Sequence, residues 1–269
     1  MRSITFLFLL TIAPFALQAN TFGTTGALLA AQTATNQLDI SWTPQWSNLK
    51  AYYRMDGKTG TIAASAIIHD LFGTSNGTTS ASGLSYAVGK LEQGLTFTTS
   101  SSVTIPRTSP ANVCTNSTIM MWVKWNATTS NWWTSIAGNF NQNSCTDAGW
   151  YFQQHSNTKK IEITINTSGN NNQSDYSTGD VLDGTWHHVA ITIASSQMLM
   201  YVDGTLDKTI SIIMGTGVCS PTAPISFGST MCADPLPSPA MLDEIAIFNS
   251  ILTASDILTI YNRQKNGVR

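Results

Sequence analysis

The sequence predicts an all-β fold, an antiparallel β-sandwich with one short C-terminal helix. Three observations lead to this prediction. Short runs of β-branched and aromatic residues are separated by turn residues, which is the pattern of strands in a sandwich or barrel. The dipeptide Asp203-Gly204 joins two such runs, and Asp-Gly favours a tight hairpin because that turn needs positive φ. One convincing helical period occurs, after Thr253.

The predicted strands follow one another along the chain with turn or polar residues between them. They are short, and their apolar side chains alternate with polar ones, as expected where one face of a sheet is buried. Two long polar stretches, residues 126–151 and 168–176, are predicted as loops. The predicted strands cover residues 51–55, 94–97, 102–106, 118–125, 161–165, 188–193, 198–202, 205–210 and 242–248.

The helix prediction depends on a capping pattern followed by an apolar stripe. Thr253 is a suitable N-cap, and Asp256 follows three residues later, as in a capping box. Ile257, Ile260 and Tyr261 then recur at the spacing of one helix face. We therefore expect this helix to pack one face on the sandwich.

The start of the chain has the composition of a secretory signal peptide. A short positive start precedes an apolar run from Ile4 to Leu17, and the small residue Ala19 marks the expected cleavage point. The run is too short to be a transmembrane segment, which needs about 20 apolar residues. We expect residues 1–19 to be removed, residues 20–47 to be a leader or attachment segment through which oligomers can form, and residues 48–269 to be the folded domain. The predicted location is secreted, periplasmic or at the cell surface.

The composition argues against binding to nucleic acid. Charged residues make up 10% of the chain and the formal net charge is −2, whereas a nucleic-acid-binding domain usually carries a basic patch. The polar residues are mainly Ser, Thr, Asn and Gly. Such a surface suits uncharged partners such as sugars.

The chain contains four cysteines, and export makes disulfide bonds the expected state. Four cysteines allow three pairings. We favour Cys114–Cys145 and Cys219–Cys232, because each pair brackets a local segment. A zinc site is the alternative, although the usual short ligand spacings are missing.

Five segments, taken in order, resemble the laminin-G-like, concanavalin A-like jelly-roll family. The resemblance covers roughly residues 48–262 and implies a jelly-roll sandwich. The segments are Leu49–Gly57 followed by Ile68–Asp70 and Ser75–Thr78, then Gly89–Phe97, Thr118–Lys124, Gly184–Ala190 followed by Met200–Gly204, and Leu242–Asn249 with the short helix after Leu252.

The acidic residues do not match the catalytic pattern that the resemblance implies for hydrolases of this fold. Those enzymes carry carboxylates at every second position of one strand, whereas no glutamate here has another acid two residues away. Asp243 and Glu244 are adjacent, so in a regular strand one should face inward and the other solvent. The segment Trp186–His188 resembles a family segment that contributes packing and hydrogen bonds, so the resemblance implies a structural role for it. We therefore predict that the protein is not an enzyme. The glutamates are Glu92, Glu162 and Glu244.

The resemblance also implies one calcium ion (Ca²⁺) at the edge of the sandwich. Its expected ligands are Asp70 and Asp243, with Asn76 or backbone carbonyl groups around Gly73 and Ser75 as additional ligands, because Ca²⁺ prefers six to eight oxygen ligands. The alternative is that Asp70 stabilises its own turn through hydrogen bonds. Asp243 would then accept hydrogen bonds from backbone N–H groups.

The two polar stretches supply the candidate ligand-binding residues, since sugar contacts combine aromatic rings with amide and hydroxyl groups. The alternative is that the tryptophans, including Trp150, fill the core of the sandwich. The candidates are Trp132, Trp133, Asn141, Asp147 and Tyr176.

These observations predict an exported, non-catalytic binding module that recognises glycan or a surface protein, with a role in adhesion. A structural subunit of a surface or fibre assembly, attached through residues 20–47, is an alternative. A polysaccharide hydrolase with an unrecognised site is the other.

Overall fold

The computed structural model describes residues 45–80, 83–97, 101–127, 134–139, 149–167, 171–212, 223–228 and 240–269. These residues form seventeen strands and one α-helix, α1, which spans Ala254–Lys265. The strands are β1 Leu49–Tyr53, β2 Gly60–Thr61, β3 Ile67–Ile68, β4 Gly77–Thr79, β5 Ser85–Val88, β6 Gln93–Phe97, β7 Val103–Ile105, β8 Ser117–Asn126, β9 Ser135–Gly138, β10 Gly149–Gln154, β11 Ile161–Thr167, β12 Asn171–Tyr176, β13 Asp183–Ile193, β14 Gln197–Val202, β15 Thr205–Ser211, β16 Ile225–Phe227 and β17 Ala240–Phe248.

The strands belong to two antiparallel sheets, so the predicted all-β sandwich is confirmed. The nine-stranded sheet has the order β15-β14-β13-β8-β17-β6-β5-β2, with β1 also paired to β17. The eight-stranded sheet has the order β12-β11-β10-β9-β16-β7-β4-β3. Ile163 and Phe227 of the eight-stranded sheet and Ile191 and Leu242 of the nine-stranded sheet belong to one buried cluster. The main core therefore lies between the two sheets.

The two stretches that we predicted as loops contain strands. Residues 126–151 include β9 and the start of β10, and residues 168–176 include β12. β12 was missed because its sequence, Asn171–Tyr176, lacks apolar alternation. Its backbone pairs with β11 along its whole length, and a strand at the edge of a sheet needs no apolar face for that pairing.

The helix prediction is confirmed, including its cap. The Thr253 hydroxyl accepts a hydrogen bond from the Asp256 N–H, and the Asp256 carboxylate accepts one from the Thr253 N–H. Ile257 and Ile260 are buried in a second cluster on the outer side of the nine-stranded sheet, which also contains residues of β8, β14 and β17. Gly204 lets the helix approach, since a Cβ atom there would lie 2.7 Å from the ring of Tyr261.

Several predictions concern residues outside the described part of the chain. The signal peptide and nearly all of the predicted attachment segment fall in residues 1–44. Cys114 is buried in the core, whereas Cys145, Cys219 and Cys232 lie outside the described residues, so the two disulfide bonds stay a prediction. Within the described ranges, no helix has the length and apolar character needed to cross a membrane.

Candidate functional site

The outer face of the eight-stranded sheet is polar where β10, β11 and β12 lie side by side. Ile161 and Ile163 of β11 are buried in the core, so the residue between them points to the opposite side of the sheet. Strand pairing aligns Gln153, Glu162 and Tyr176 in one row across this face. The next row consists of Tyr151, Thr164 and Ser174.

Tyr176 is the most exposed member of the first row, and it is held by its neighbours. Its ring is stacked on the ring of His155, with centroids 3.8 Å apart and an interplanar angle of 19°. His155 Nδ1 lies 2.8 Å from Oε2 of the buried Glu162. The Lys160 ammonium lies 5.2 Å from the Tyr176 ring centroid and donates a hydrogen bond to the Thr178 carbonyl oxygen. We call His155, Lys160, Glu162 and Tyr176 the Tyr176 cluster.

The Tyr176 cluster presents an aromatic ring, an imidazole and an ammonium group at the surface, whereas the Glu162 carboxylate is buried. Tyr176 is 38% exposed, so part of its ring and edge is open to a partner. Contacts within the chain fix the ring orientation, which lowers the entropy cost of ordering it on binding. A fixed aromatic edge beside hydrogen-bonding groups is a suitable surface for a polar, uncharged ligand such as a sugar.

The structure locates one of the five predicted ligand-binding residues. Tyr176 lies on the polar sheet face, whereas Trp132, Trp133, Asn141 and Asp147 lie outside the described residues. Trp150, the alternative core residue, is fully buried, and its indole N–H donates to a backbone carbonyl group. The core interpretation is therefore correct for that tryptophan.

The Asp70 carboxylate stabilises its own turn. Its Oδ1 accepts a hydrogen bond from the Tyr52 N–H at 2.8 Å, and its Oδ2 accepts one from the Ser75 N–H at 3.2 Å. The Asn76 side-chain oxygen accepts from the Asp70 N–H at 2.9 Å. Burial raises the pKa of Asp70, and the backbone hydrogen bonds, the first of them from Tyr52, oppose that rise. These contacts agree with the alternative interpretation of Asp70.

Asp243 likewise accepts backbone hydrogen bonds, from Lys90 and Leu91 at 2.8 and 3.0 Å to its Oδ2. Burial raises the pKa of Asp243 well above its ordinary value, and the adjacent Glu244 raises it further. In the part of the chain that the structure describes, no group of three or more His, Cys, Asp or Glu side chains is arranged to hold a metal ion. Calcium binding stays a prediction from the family resemblance.

The expectation that either Asp243 or Glu244 faces solvent is wrong, because both side chains are buried. The regular alternation of β17 is interrupted here. Its register with β8 shifts between Asp243 and Ala246, and Glu244 has a positive φ of 51°. A bulge of this kind places consecutive side chains in directions that a regular strand does not allow.

Glu244 is the centre of a buried ionic network that the sequence did not predict. Its Oε2 accepts a hydrogen bond from the Tyr52 hydroxyl, and its Oε1 lies 2.8 Å from Arg269 Nε. The same guanidinium lies 2.6 Å from Asp56 and 3.0 Å from Glu92. Burial raises the pKa of Glu244 to about 7, although Arg269 opposes the rise. Glu244 lies 25 residues and Asp56 lies 213 residues before Arg269 in the sequence. No local sequence pattern could therefore reveal these partners.

The two histidines of β13 have structural contacts. His187 Nδ1 lies 2.8 Å from Asp203 Oδ2, and its Nε2 lies 3.1 Å from the Thr185 hydroxyl. The hydrogen bond with Asp203 raises the pKa of His187. His188 is buried beside Trp122. The predicted packing and hydrogen-bonding role of this segment agrees with these contacts.

The comparison with protein families gives one match. Residues 97–258, more than half of the chain, match the family described as the concanavalin A-like lectin/glucanases superfamily. No curated protein matches the chain by sequence.

Solved structures with the same fold include domains that bind sugars or receptors. Domain 4 of an extracellular arabinanase from Geobacillus stearothermophilus, in complex with arabinotriose, has a TM-score of 0.58 and 18% identity, over 80% of this chain and 98% of that domain. The receptor binding domain of botulinum neurotoxin C/D mosaic serotype has a TM-score of 0.60 and 17% identity, over 80% of this chain. The binding domain of botulinum neurotoxin DC in complex with SialylT has a TM-score of 0.61 and 17% identity, over 81% of this chain. The chain spans about half of the two toxin domains, 51% and 52%. At these identities the likeness concerns the fold.

Proposed function

The chain belongs to the concanavalin A-like lectin/glucanase superfamily, and from this premise we propose that it is an exported, non-catalytic module that binds glycan on a surface. The observation that carries the proposal is the Tyr176 cluster, with its fixed and partly exposed ring on a polar sheet face. The arabinanase domain that shares the fold and nearly the full domain length was solved with arabinotriose, which supports a sugar as the ligand.

The ligand class can be tested with purified protein and a panel of oligosaccharides that contains arabinotriose and SialylT. We expect one glycan class to bind with a Kd that can be measured by calorimetry. Tyr176→Ala should weaken that binding at least about tenfold, which corresponds to 1.4 kcal/mol. Lys160→Met should weaken it less, because the ring contact stays.

Val88→Ala is a suitable control, because Val88 is 84% exposed and lies on the other sheet. This variant should bind glycan like the wild type. Failure of the folded wild-type protein to bind any glycan would contradict the proposal. Binding that Tyr176→Ala leaves unchanged would move the glycan site away from the Tyr176 cluster.

The non-catalytic part of the proposal is supported by the surroundings of Asp243 and Glu244. Both carboxylates are buried and engaged with backbone or side-chain donors, so neither is open to a glycosidic bond. We expect no release of reducing ends when the protein is incubated with the polysaccharides that it binds. Release of reducing sugar at a rate above that of a heat-denatured sample would contradict this part.

The export part of the proposal rests on the N-terminal sequence. Expression in a bacterial host followed by N-terminal sequencing of the mature protein should give a chain that begins at Asn20. Retention of residues 1–19 in the cytoplasmic fraction would contradict export.

A further inference from the structure

His188 lies in a closed aromatic environment between the nine-stranded sheet and helix α1. It is fully buried, and its ring centroid lies 5.4 Å from Trp122 of β8 and 5.9 Å from Tyr261 of α1. Neither ring nitrogen has a hydrogen-bond partner among the described residues. A buried polar group without a partner is unusual, because its desolvation is not compensated. The histidine therefore calls for an explanation beyond packing.

Two ammonium groups lie against the aromatic neighbours of His188. The Lys90 ammonium lies 4.5 Å from the Trp122 ring centroid, and the Lys265 ammonium of α1 lies 5.4 Å from the Tyr261 ring centroid. Both aromatic neighbours of His188 thus already face a cation.

Asp203 is the acid nearest to His188, and its carboxylate is already engaged. Its Oδ1 accepts a hydrogen bond from the His188 backbone N–H, and its Oδ2 faces His187. Burial lowers the pKa of His188 to about 4, although Asp203 opposes the shift.

We propose that His188 is an acid-sensitive latch, whose proton uptake releases helix α1 from the nine-stranded sheet. The helix is held at this point by the stacking of the Tyr261 ring on the Trp122 ring, whose centroids lie 5.7 Å apart. The Trp122 indole N–H also donates a 2.7 Å hydrogen bond to the side-chain oxygen of Gln264. A protonated imidazole carries two N–H donors and a positive charge. While the helix covers the ring, the donors have no acceptor and the charge is not solvated, so protonation costs free energy. Lifting the helix brings water to the imidazole and removes this cost.

Release of α1 uncovers an apolar surface. Ile257 and Ile260 of the helix and Met120 and Ala190 of the sheet lose their mutual cover, since all four belong to the second buried cluster. In acid the protein therefore gains an exposed apolar patch without losing the main core. This property is separate from the glycan site, because the Tyr176 cluster belongs to the other sheet.

Amide hydrogen exchange of α1 tests the latch directly. With a His188 pKa of about 4 in the closed state and about 6.5 when hydrated, the opening equilibrium should rise roughly 70-fold between about pH 7.5 and about pH 4.5. Exchange of the Ile257, Ile260 and Gln264 amides, corrected for intrinsic rates, should report this rise. Amides of β11 should not share it.

His188→Phe removes the titrating group and keeps a ring of similar size. In this variant the pH-dependent rise of α1 opening should fall to a few-fold. The matched control is His69→Gln, which changes an exposed histidine and should behave like the wild type. An equal rise in His188→Phe and in the wild type would overturn the proposal.

A titration of the wild-type His188 ring by NMR keeps the test valid if His188→Phe does not fold. We expect its Cε1 proton to titrate together with the loss of α1 protection, below the ordinary range for histidine. A ring that titrates near pH 6.5 while α1 stays protected would refute the latch.

Discussion

Substitution of Arg269 by methionine tests the buried ionic network most directly. The guanidinium contacts Glu244, Asp56 and Glu92. The Arg269 side chain is 7% exposed and that of Glu244 is fully buried, whereas Glu92 is 65% exposed. Glu92 lies in water and adds little to stability. Methionine keeps most of the apolar stem, so Arg269→Met chiefly leaves the Glu244 carboxylate without its cation.

The expected loss depends on pH. Breaking a buried ion pair by removing one partner costs about 3–5 kcal/mol when the remaining group is charged. The pKa of Glu244 is about 7 in the folded protein and near 4.5 in the unfolded chain. The folded state therefore favours the neutral carboxyl group, and this contribution to stability is fully present below pH 4.5 and is lost as the pH rises through 7. Without Arg269, which lowers this pKa, the folded carboxyl group titrates higher still. The variant should therefore lose about 1–2 kcal/mol near pH 5, where mainly hydrogen bonds are lost, and about 1.4 kcal/mol more near pH 8, because each pH unit above the wild-type pKa of about 7 adds that amount.

Urea denaturation followed by circular dichroism at both pH values measures these losses. Arg107→Met is the control, because Arg107 is exposed, and its free energy of unfolding should stay within about 0.5 kcal/mol of the wild type. In a Glu244→Gln background, Arg269→Met should cost much less, since no buried charge is left unpaired. A loss below about 1 kcal/mol at pH 8, or an equal loss at both pH values, would refute the reasoning.

Three further predictions concern other parts of the molecule. Thr253→Ala removes the hydroxyl that caps α1 and should lower the free energy of unfolding by about 1 kcal/mol in urea denaturation; no change would mean that the cap is redundant. Gly138→Ala puts a Cβ atom 2.6 Å from that of Tyr151, and this overpacking should cost about 1–3 kcal/mol in the same assay, so an unchanged midpoint would contradict it. If Asp70 and Asp243 bind calcium as the resemblance implies, the melting temperature should rise in calcium relative to chelator, and Asp70→Asn should abolish that rise; equal melting temperatures in calcium and chelator would contradict calcium binding.

Local sequence patterns were sufficient for the strands that have one buried face. The run predicted over 118–125 is β8, Ser117–Asn126, and the Asp203-Gly204 turn joins β14 to β15. Both depend on neighbouring residues only, through side-chain alternation and turn geometry. β12 could not be found in this way, since its pairing with β11 comes from backbone groups, which are the same for every sequence.

The buried acids Asp243 and Glu244 show why a site is harder to predict than a strand. From the sequence, Asp243 and Glu244 were assigned to opposite faces by assuming regular alternation, and one bulge made that assumption fail. The bulge is supported by Arg269 and Tyr52, which are brought to Glu244 by the packing of distant segments. The same limit applies to the Tyr176 cluster, because the stacking of His155 on Tyr176 joins β12 to the end of β10 across β11. Side-chain chemistry could nominate Tyr176 from the sequence, but only the strand order could supply the neighbours that fix its ring and make it a candidate for binding.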